Sequence, residues 1–82
     1  MLGTVTLSIG QVFHLRRVTD RIVYAGMLSE DTYSIVQIKD ALVNNPVAWN
    51  LFFSKKQRNI TIDTVKINVE NVSPEEITIS VE

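Results

Sequence analysis

The 82-residue chain has no cysteine, three glycines, two prolines and a single histidine. The lack of cysteine excludes a disulfide framework, a thiolate zinc site, an iron–sulfur cluster and a cysteine nucleophile. One histidine, His14, cannot supply the set of ligands that a typical transition-metal site needs. We therefore expect a protein without a metal or another cofactor.

Long hydrophobic runs are also missing. No stretch approaches the roughly 20 consecutive apolar residues of a transmembrane helix. Near the N-terminus Thr4, Thr6 and Ser8 interrupt the apolar residues at every second position. The central region of a signal peptide is instead a continuous apolar block. The sequence therefore predicts a cytoplasmic protein that has no membrane partner.

Size and composition indicate one small domain over residues 1–82. Hydrophobic residues make up 45% of the chain and charged residues 21%, and the net charge is −1. Disordered proteins have a lower hydrophobicity and a higher net charge than this. A folded chain of this length buries about 63% of the surface that its extended form exposes. That burial is sufficient for one compact core.

Much of the chain has the hydrophobic pattern of β-strands. Val5, Leu7 and Ile9 alternate with polar residues, which is the two-residue period of a half-buried strand. Further segments combine this period with many β-branched and aromatic residues. These patterns predict strands at the N-terminus and over residues 11–18, 21–28, 33–38 and 77–81, the last of them at a sheet edge.

The apolar phase changes within the strand-like segment 60–69. Ile60 and Ile62 occupy even positions, whereas Val65 and Ile67 occupy odd ones. An uninterrupted strand would turn one of these sets toward solvent, because side chains alternate between its two faces. We therefore predict a bulge, a bend or a turn at residues 63–64.

The segment 34–44 is compatible with a strand or with a short helix. Ile35, Ile38 and Leu42 have the spacing of one helical face. The β-branched and aromatic residues between positions 32 and 38 favour a strand instead. We expect a strand to about Ile38, followed by a helical turn or a loop.

A helix is predicted over residues 46–56. Asn45 and Pro46 have the pattern of a helix start, in which an N-cap side chain is followed by proline in the first turn. The alternative is one more strand over residues 49–53. The apolar stripe of the helix would consist of Ala48, Leu51 and Phe52.

The predicted fold class is mainly β. It is a small β-barrel or an antiparallel sheet of five to six strands with one short helix, and the alternative is an α+β fold with the helix packed on the sheet. Gly26 lies within a strong strand pattern, where glycine permits a sharp bend. The predicted core comprises Tyr24, Ile35, Leu51, Phe52, Ile67 and Ile79.

No pattern of catalytic residues is present. His14 is flanked by apolar residues and is interpreted as a surface residue of a strand. The carboxylate pairs at residues 30–31 and 75–76 are adjacent in sequence, so an extended chain directs the two members of each pair to opposite faces. There is neither a glycine-rich phosphate loop nor a G-x-S-x-G motif. We therefore predict no catalytic residue and no enzymatic activity.

Charge is distributed unevenly along the chain. Up to Arg58 there are seven basic and four acidic residues, and from Asn59 onward one basic and five acidic residues. Basic residues near aromatic rings are typical of surfaces that bind single-stranded nucleic acid, although a pI near 5.7 argues against a dedicated binder. The candidate binding residues are Arg16, Arg17, Arg21, Lys55, Lys56 and Arg58, with Tyr24, Tyr33 and Trp49 as aromatic neighbours.

The predicted function is a non-enzymatic interaction or assembly module that contacts a protein partner or itself, with a homo-oligomer expected. Nucleic-acid binding is the less favoured alternative. Exposed edge strands at both chain ends offer one route to self-association, through strand pairing. Charge offers another, because the basic cluster can face the acidic segment of a second copy. The acidic residues concerned are Glu70, Glu75, Glu76 and Glu82.

Overall fold

The computed structural model describes residues 3–15, 20–40, 46–62 and 64–81, and it contains eight β-strands. The described residues include no helix. The strands are β1 (Thr4–Ser8), β2 (Val12–His14), β3 (Asp20–Met27), β4 (Thr32–Asp40), β5 (Pro46–Ser54), β6 (Asn59–Ile62), β7 (Val65–Val72) and β8 (Glu76–Val81).

The strands form two antiparallel sheets of four strands each. Sheet I has the order β1-β8-β7-β6, and sheet II has the order β2-β3-β4-β5. The chain passes from sheet I to sheet II after β1 and returns after β5. The prediction of a small β domain is confirmed. The two architectures predicted for it, a barrel and a single antiparallel sheet, are wrong, because the described strands form two sheets and neither sheet closes on itself.

One hydrophobic core lies between the inner faces of the two sheets. Each strand contributes side chains at alternate positions, because successive residues point to opposite faces. Tyr24, Tyr33 and Ile35 of sheet II are at most 1% exposed. Leu51 and Phe53 of β5 are half-buried against them. The buried residues of sheet I are Leu7, Ile60, Ile62, Val65, Ile67, Val69, Val72, Ile77, Ile79 and Val81.

Three backbone irregularities keep the apolar side chains on the inner faces. In β3 the register shifts between Tyr24 and Gly26, and Gly26 has a φ of 97°. In β7 a second shift lies between Val69 and Asn71. The phase change predicted at residues 63–64 falls between β6 and β7, where Thr64 lies in a turn and has a φ of 65°, a left-handed conformation that is rare for β-branched residues.

At one end of the molecule, backbone bonds of residues 9 and 10 extend each sheet in turn, and a bond from the Tyr24 side chain joins the two sheets. The Ile9 N–H donates to Glu75 O at 3.2 Å, and the Gly10 N–H donates to Tyr24 O at 3.0 Å. The Tyr24 hydroxyl donates to Ser73 O, in the turn between β7 and β8, at 2.5 Å. A Cβ at Gly26 would lie 3.3 Å from the end of the Ile9 side chain, and the φ of 97° is what favours glycine at this position.

The predicted helix over residues 46–56 is wrong, and the strand alternative is right. β5 pairs with β4 along its whole length, from Pro46 opposite Asp40 to Ser54 opposite Thr32. Proline is tolerated at the start of an edge strand, so Pro46 fits both structures. Cross-strand pairing overrides a local helix signal that rested on capping residues and one apolar stripe. The predicted N-cap, Asn45, lies outside the described residues.

Two further predictions need correction. β8 does not lie at an edge, because it pairs with β1 on one side and with β7 on the other. Phe52 is 57% exposed and does not belong to the core, since a strand directs Leu51 and Phe53 inward and Phe52 outward. Burial is confirmed for Tyr24, Ile35, Ile67 and Ile79.

The ambiguous segment 34–44 is a strand as far as it is described. β4 runs from Thr32 to Asp40, two residues beyond the predicted end at Ile38. Its pairing with β3 on one side and β5 on the other stabilises the extended conformation along this length. Residues 41–45, where a helical turn or a loop was expected, lie outside the described residues, as do residues 16–18 of the second predicted strand.

The two tyrosines of the chain differ in hydrogen bonding. Tyr24 donates to Ser73 O, whereas the buried Tyr33 hydroxyl has no hydrogen-bond partner among the described residues. Removing a satisfied hydroxyl costs about 0.5–1.5 kcal/mol, while removing an unsatisfied one is close to neutral. We expect Tyr24→Phe to lower the free energy of unfolding by about 1 kcal/mol in urea denaturation and Tyr33→Phe to leave it unchanged or raise it. Equal losses in both variants would contradict this assignment.

Alkaline pH should destabilise the fold through the same side chains. Burial, with a smaller contribution from the Tyr24 charge, raises the pKa of Tyr33 from 10.0 to about 12, and burial also raises the pKa of Tyr24. Below pH 10 both states are neutral at these positions and stability is unaffected. Between pH 10 and 12 the unfolded state ionises first, so stability falls as the pH rises. Tyr33→Phe should reduce this fall in urea denaturation, and a loss equal to that of the wild type would contradict the pKa shift.

Candidate interaction surface

The outer face of sheet I is polar throughout its described residues. β1 pairs with β8 so that its outward residues, Thr4, Thr6 and Ser8, each lie opposite a hydroxyl or carboxylate side chain. β6 and β7 continue this surface with amide, hydroxyl and charged side chains. A sheet face of this kind is a water-facing surface. Its residues are Thr4, Thr6, Ser8, Asn59, Thr61, Lys66, Asn68, Glu70, Asn71, Glu76, Thr78 and Ser80.

Several side chains of this polar face form hydrogen bonds with one another. The Glu70 carboxylate accepts hydrogen bonds from the Ser80 hydroxyl at 3.1 Å and from the Asn68 amide at 3.3 Å. The hydroxyls of Thr6 and Thr78 are 3.0 Å apart. Because these groups satisfy one another or face water, the outer face of sheet I gains little from contact with another protein.

The outer face of sheet II carries apolar residues on all four strands. Val12, Val23 and Val36 lie side by side across β2, β3 and β4. Val12 is 45% exposed, and Val23 and Val36 are half-buried. This face has no covering layer among the described residues. We call the following set the outer apolar surface: Val12, Val23, Val36, Ile38, Ala48 and Phe52.

β5 is the exposed edge of sheet II. It ends the strand order, so among the described strands it is hydrogen-bonded on one side only. It is nine residues long, whereas the other edge strands have three to five residues, and it contains no charged side chain. Proteins usually shorten or charge such edges to prevent pairing with another chain. Of the six exposed large apolar residues in the described part of the chain, β5 carries three: Val47, Trp49 and Phe52.

The free hydrogen-bonding groups of this edge belong to the even-numbered residues. The Lys55 N–H donates to Asp31 O at 2.7 Å, toward β4. Backbone groups alternate in direction along an antiparallel strand, so odd-numbered residues of β5 bond to β4 and even-numbered residues point outward. Pro46, which has no N–H, is at an outward position and leaves no bond to β4 unmade.

The basic residues predicted to bind a ligand fall into separate regions. Arg21 lies on β3, in register with Ile38, while Lys55 follows the end of β5 that pairs with Thr32. Six residues of β4 separate these positions, or about 20 Å. The structure therefore does not bring Arg21 next to the second basic cluster. Arg16 and Arg17 lie outside the described residues.

The second basic cluster, Lys55, Lys56 and Arg58, lies in the exposed crossing from β5 to β6. The Arg58 guanidinium donates to Glu70 O at 3.0 Å. Lys55 and Arg58 also line a depression of about 50 Å³. Ligand pockets are usually several times larger than this, so the depression does not by itself form a binding site for an organic ligand.

The aromatic residues predicted beside these cations occupy different environments. Tyr24 and Tyr33 are 1% and 0% exposed, so the prediction that their rings contribute to a surface is wrong. Both rings point to the inner face of strands whose outer face is also apolar. The sequence pattern therefore did not indicate which face is buried. Tyr33 packs against Phe53 with a centroid distance of 5.6 Å. Trp49 is 45% exposed, on β5 about 20 Å from Lys55 along the strand.

The acidic residues predicted to meet the basic cluster are also dispersed. The Glu70 carboxylate accepts hydrogen bonds from Ser80 and Asn68 on the polar face of sheet I. Glu75 and Glu76 are exposed at the turn between β7 and β8, where the Ser73 hydroxyl accepts hydrogen bonds from their N–H groups at 3.4 and 3.2 Å. Glu82 lies outside the described residues. Charge pairing between copies stays a prediction.

Groups that could perform chemistry are sparse in the described part of the chain. His14 is exposed on β2. The described residues contain no cluster of three or more histidine, aspartate or glutamate side chains that could hold a metal ion. A larger depression, of about 330 Å³, lies on the hairpin of β6 and β7 and has Lys66 as the one ionisable residue among those that line it.

Sequence reasoning missed the outer apolar surface and the open edge at β5. The strands of sheet I alternate apolar and polar residues, whereas β3 contains Ile22, Val23 and Tyr24 in succession, and β4 contains Ile35 and Val36. Consecutive apolar residues indicate a strand that is apolar on both faces. That signal, together with nine uncharged residues in β5, points to the surface that the structure contains.

Among the described residues, no helix has the length and hydrophobicity required to span a bilayer. Comparison of the chain with protein-family models, with curated proteins and with solved structures finds no match.

Proposed function

We propose that the protein is a non-enzymatic interaction module that self-associates through protein–protein contacts of sheet II. The observation that carries this proposal is the difference between the two outer faces. The outer face of sheet I is polar and internally hydrogen-bonded, whereas sheet II combines the outer apolar surface with a long uncharged edge. Exposed apolar residues that form a continuous patch are typical of interaction sites.

The size of the domain supports the same proposal. A chain of 82 residues has a small core, and oligomerisation is a common additional source of stability for domains of this size. Covering Val12 and Phe52, which are 45% and 57% exposed, would remove apolar surface from water. Large aromatic side chains that become buried are among the contacts that contribute most to the affinity of an interface.

Nucleic-acid binding is the alternative proposal, and it has less support. Base stacking needs exposed aromatic rings beside cations. Of the three aromatic residues considered, Trp49 is the exposed one, and it is distant from Lys55 along β5. The net charge of −1 adds no general attraction for a polyanion.

Light scattering over a range of concentrations tests self-association. The wild-type mass should exceed the 9.3 kDa of one chain and should rise with concentration. Phe52→Lys places a charge in the outer apolar surface and should raise the dissociation constant at least about tenfold, the effect of losing an interface contact of about 1.4 kcal/mol. The matched control is Thr61→Lys, which adds the same charge to the polar face of sheet I and should leave the mass unchanged.

A wild-type mass of one chain at every concentration would contradict self-association. Equal effects of Phe52→Lys and Thr61→Lys would contradict the assignment to sheet II. Nucleic acid that co-purifies with the protein, or binding of single-stranded oligonucleotides at low salt, would favour the alternative. In that case affinity should fall steeply as salt increases, because phosphate contacts release counterions.

A further inference from the structure

β5 is complementary to itself when two copies run antiparallel. A two-fold axis through the central residue, Asn50, gives the register in which all nine residues of β5 are paired. In this register Pro46 lies opposite Ser54 of the second copy, and Asn50 lies opposite Asn50. Such an arrangement is an isologous contact, in which both copies use the same surface.

The hydrogen-bonding phase of β5 fits this register. Ala48, Asn50 and Phe52 direct their backbone groups outward, as the bond between Lys55 and Asp31 indicates. The two-fold axis places Ala48 opposite Phe52 of the second copy, so outward groups meet outward groups. Residues paired in this way exchange both N–H···O bonds. Pro46 lacks a donor but can accept a bond from Ser54 of the second copy.

The inward-facing side chains of β5 are also compatible with this register. Leu51 and Phe53 pack against the core at one end of β5, whereas Val47 and Trp49, on the same face, are each 45% exposed at the other end. The two-fold axis puts Trp49 opposite Leu51 of the second copy and Val47 opposite Phe53. The uncovered half of each strand thus lies beside the core-packed half of the other.

The outer face is compatible with the same arrangement. Ala48, a small residue, lies opposite the large Phe52 of the second copy, and the central Asn50 side chains meet as an amide pair. No charged residue lies within β5, so no like charges are brought together across the strand pair. The outer apolar surfaces of the two copies then become continuous.

We propose that two copies of the chain pair through β5, antiparallel and centred on Asn50, to give one eight-stranded sheet from the two sheets II. This inference rests on the proposed self-association and specifies its site and register. Because the contact consists of backbone bonds and apolar side chains, it should persist in salt concentrations that weaken contacts between surface charges.

Disulfide trapping tests the register, and the chain has no cysteine that could interfere. Hydrogen-bonded antiparallel residues have Cα atoms about 5.5 Å apart, within the range of a disulfide. Asn50→Cys should therefore form a covalent dimer under mild oxidation by a glutathione buffer. Ala48→Cys alone should not, since the two copies of residue 48 would be about 13 Å apart along the strands. An equal mixture of Ala48→Cys and Phe52→Cys should form the mixed dimer.

The matched control is Thr6→Cys, at the exposed centre of β1, an edge strand of sheet I. Asn50→Cys should be linked at least about tenfold faster than Thr6→Cys, because pairing raises the effective thiol concentration. Circular dichroism of each reduced variant checks that it is folded.

Absence of linkage through Asn50, or equal linkage through Thr6, would overturn β5 pairing. The wild-type mass then decides whether self-association fails with it. If the protein is an oligomer but Asn50→Cys is not linked, self-association stands and uses another surface. If the protein is a monomer at every concentration, both self-association and β5 pairing are contradicted.

Discussion

The alternation of side chains between the two faces of a strand is the constraint on which this structure depends. Each strand has one inner face, and a shift of one residue would expose its apolar set. The chain changes phase three times, at Gly26, at the turn containing Thr64 and at the bulge after Val69, and each change returns apolar residues to the core. The positive φ at Gly26 and Thr64 shows where the backbone departs from extended geometry.

The same alternation explains why the molecule has two different surfaces. The strands of sheet I are apolar on the inner face and polar on the outer face. The outer face of this sheet is therefore suited to contact with water. Strands of sheet II are apolar at consecutive positions, so covering their inner face leaves a second apolar face. Among the described strands, β5 is paired on one side only and adds an open edge to this face. The proposed interaction module therefore follows from what the fold leaves uncovered and does not depend on a catalytic constellation.

The sequence was sufficient to predict most of the strands, an irregularity next to Thr64 and burial of Ile67 and Ile79. These features depend on local patterning, which is visible in one sequence. It was insufficient for β5, because the N-cap pattern at Asn45 is local while the pairing with β4 is tertiary. The predicted basic residues do not form one patch, for a related reason. Arg21 and Lys55 could be placed together only by assuming how the strands meet, and the strand order separates them.

Amide hydrogen exchange, resolved by residue and compared between dilute and concentrated protein, tests the open edge of β5 most directly. The odd-numbered amides of residues 49–53 bond to β4 and should be protected at both concentrations. The even-numbered amides of residues 48–52 should exchange rapidly in dilute protein and become protected at high concentration. Protection of the even-numbered amides that is independent of concentration, or their rapid exchange at every concentration, would contradict pairing of this edge between copies.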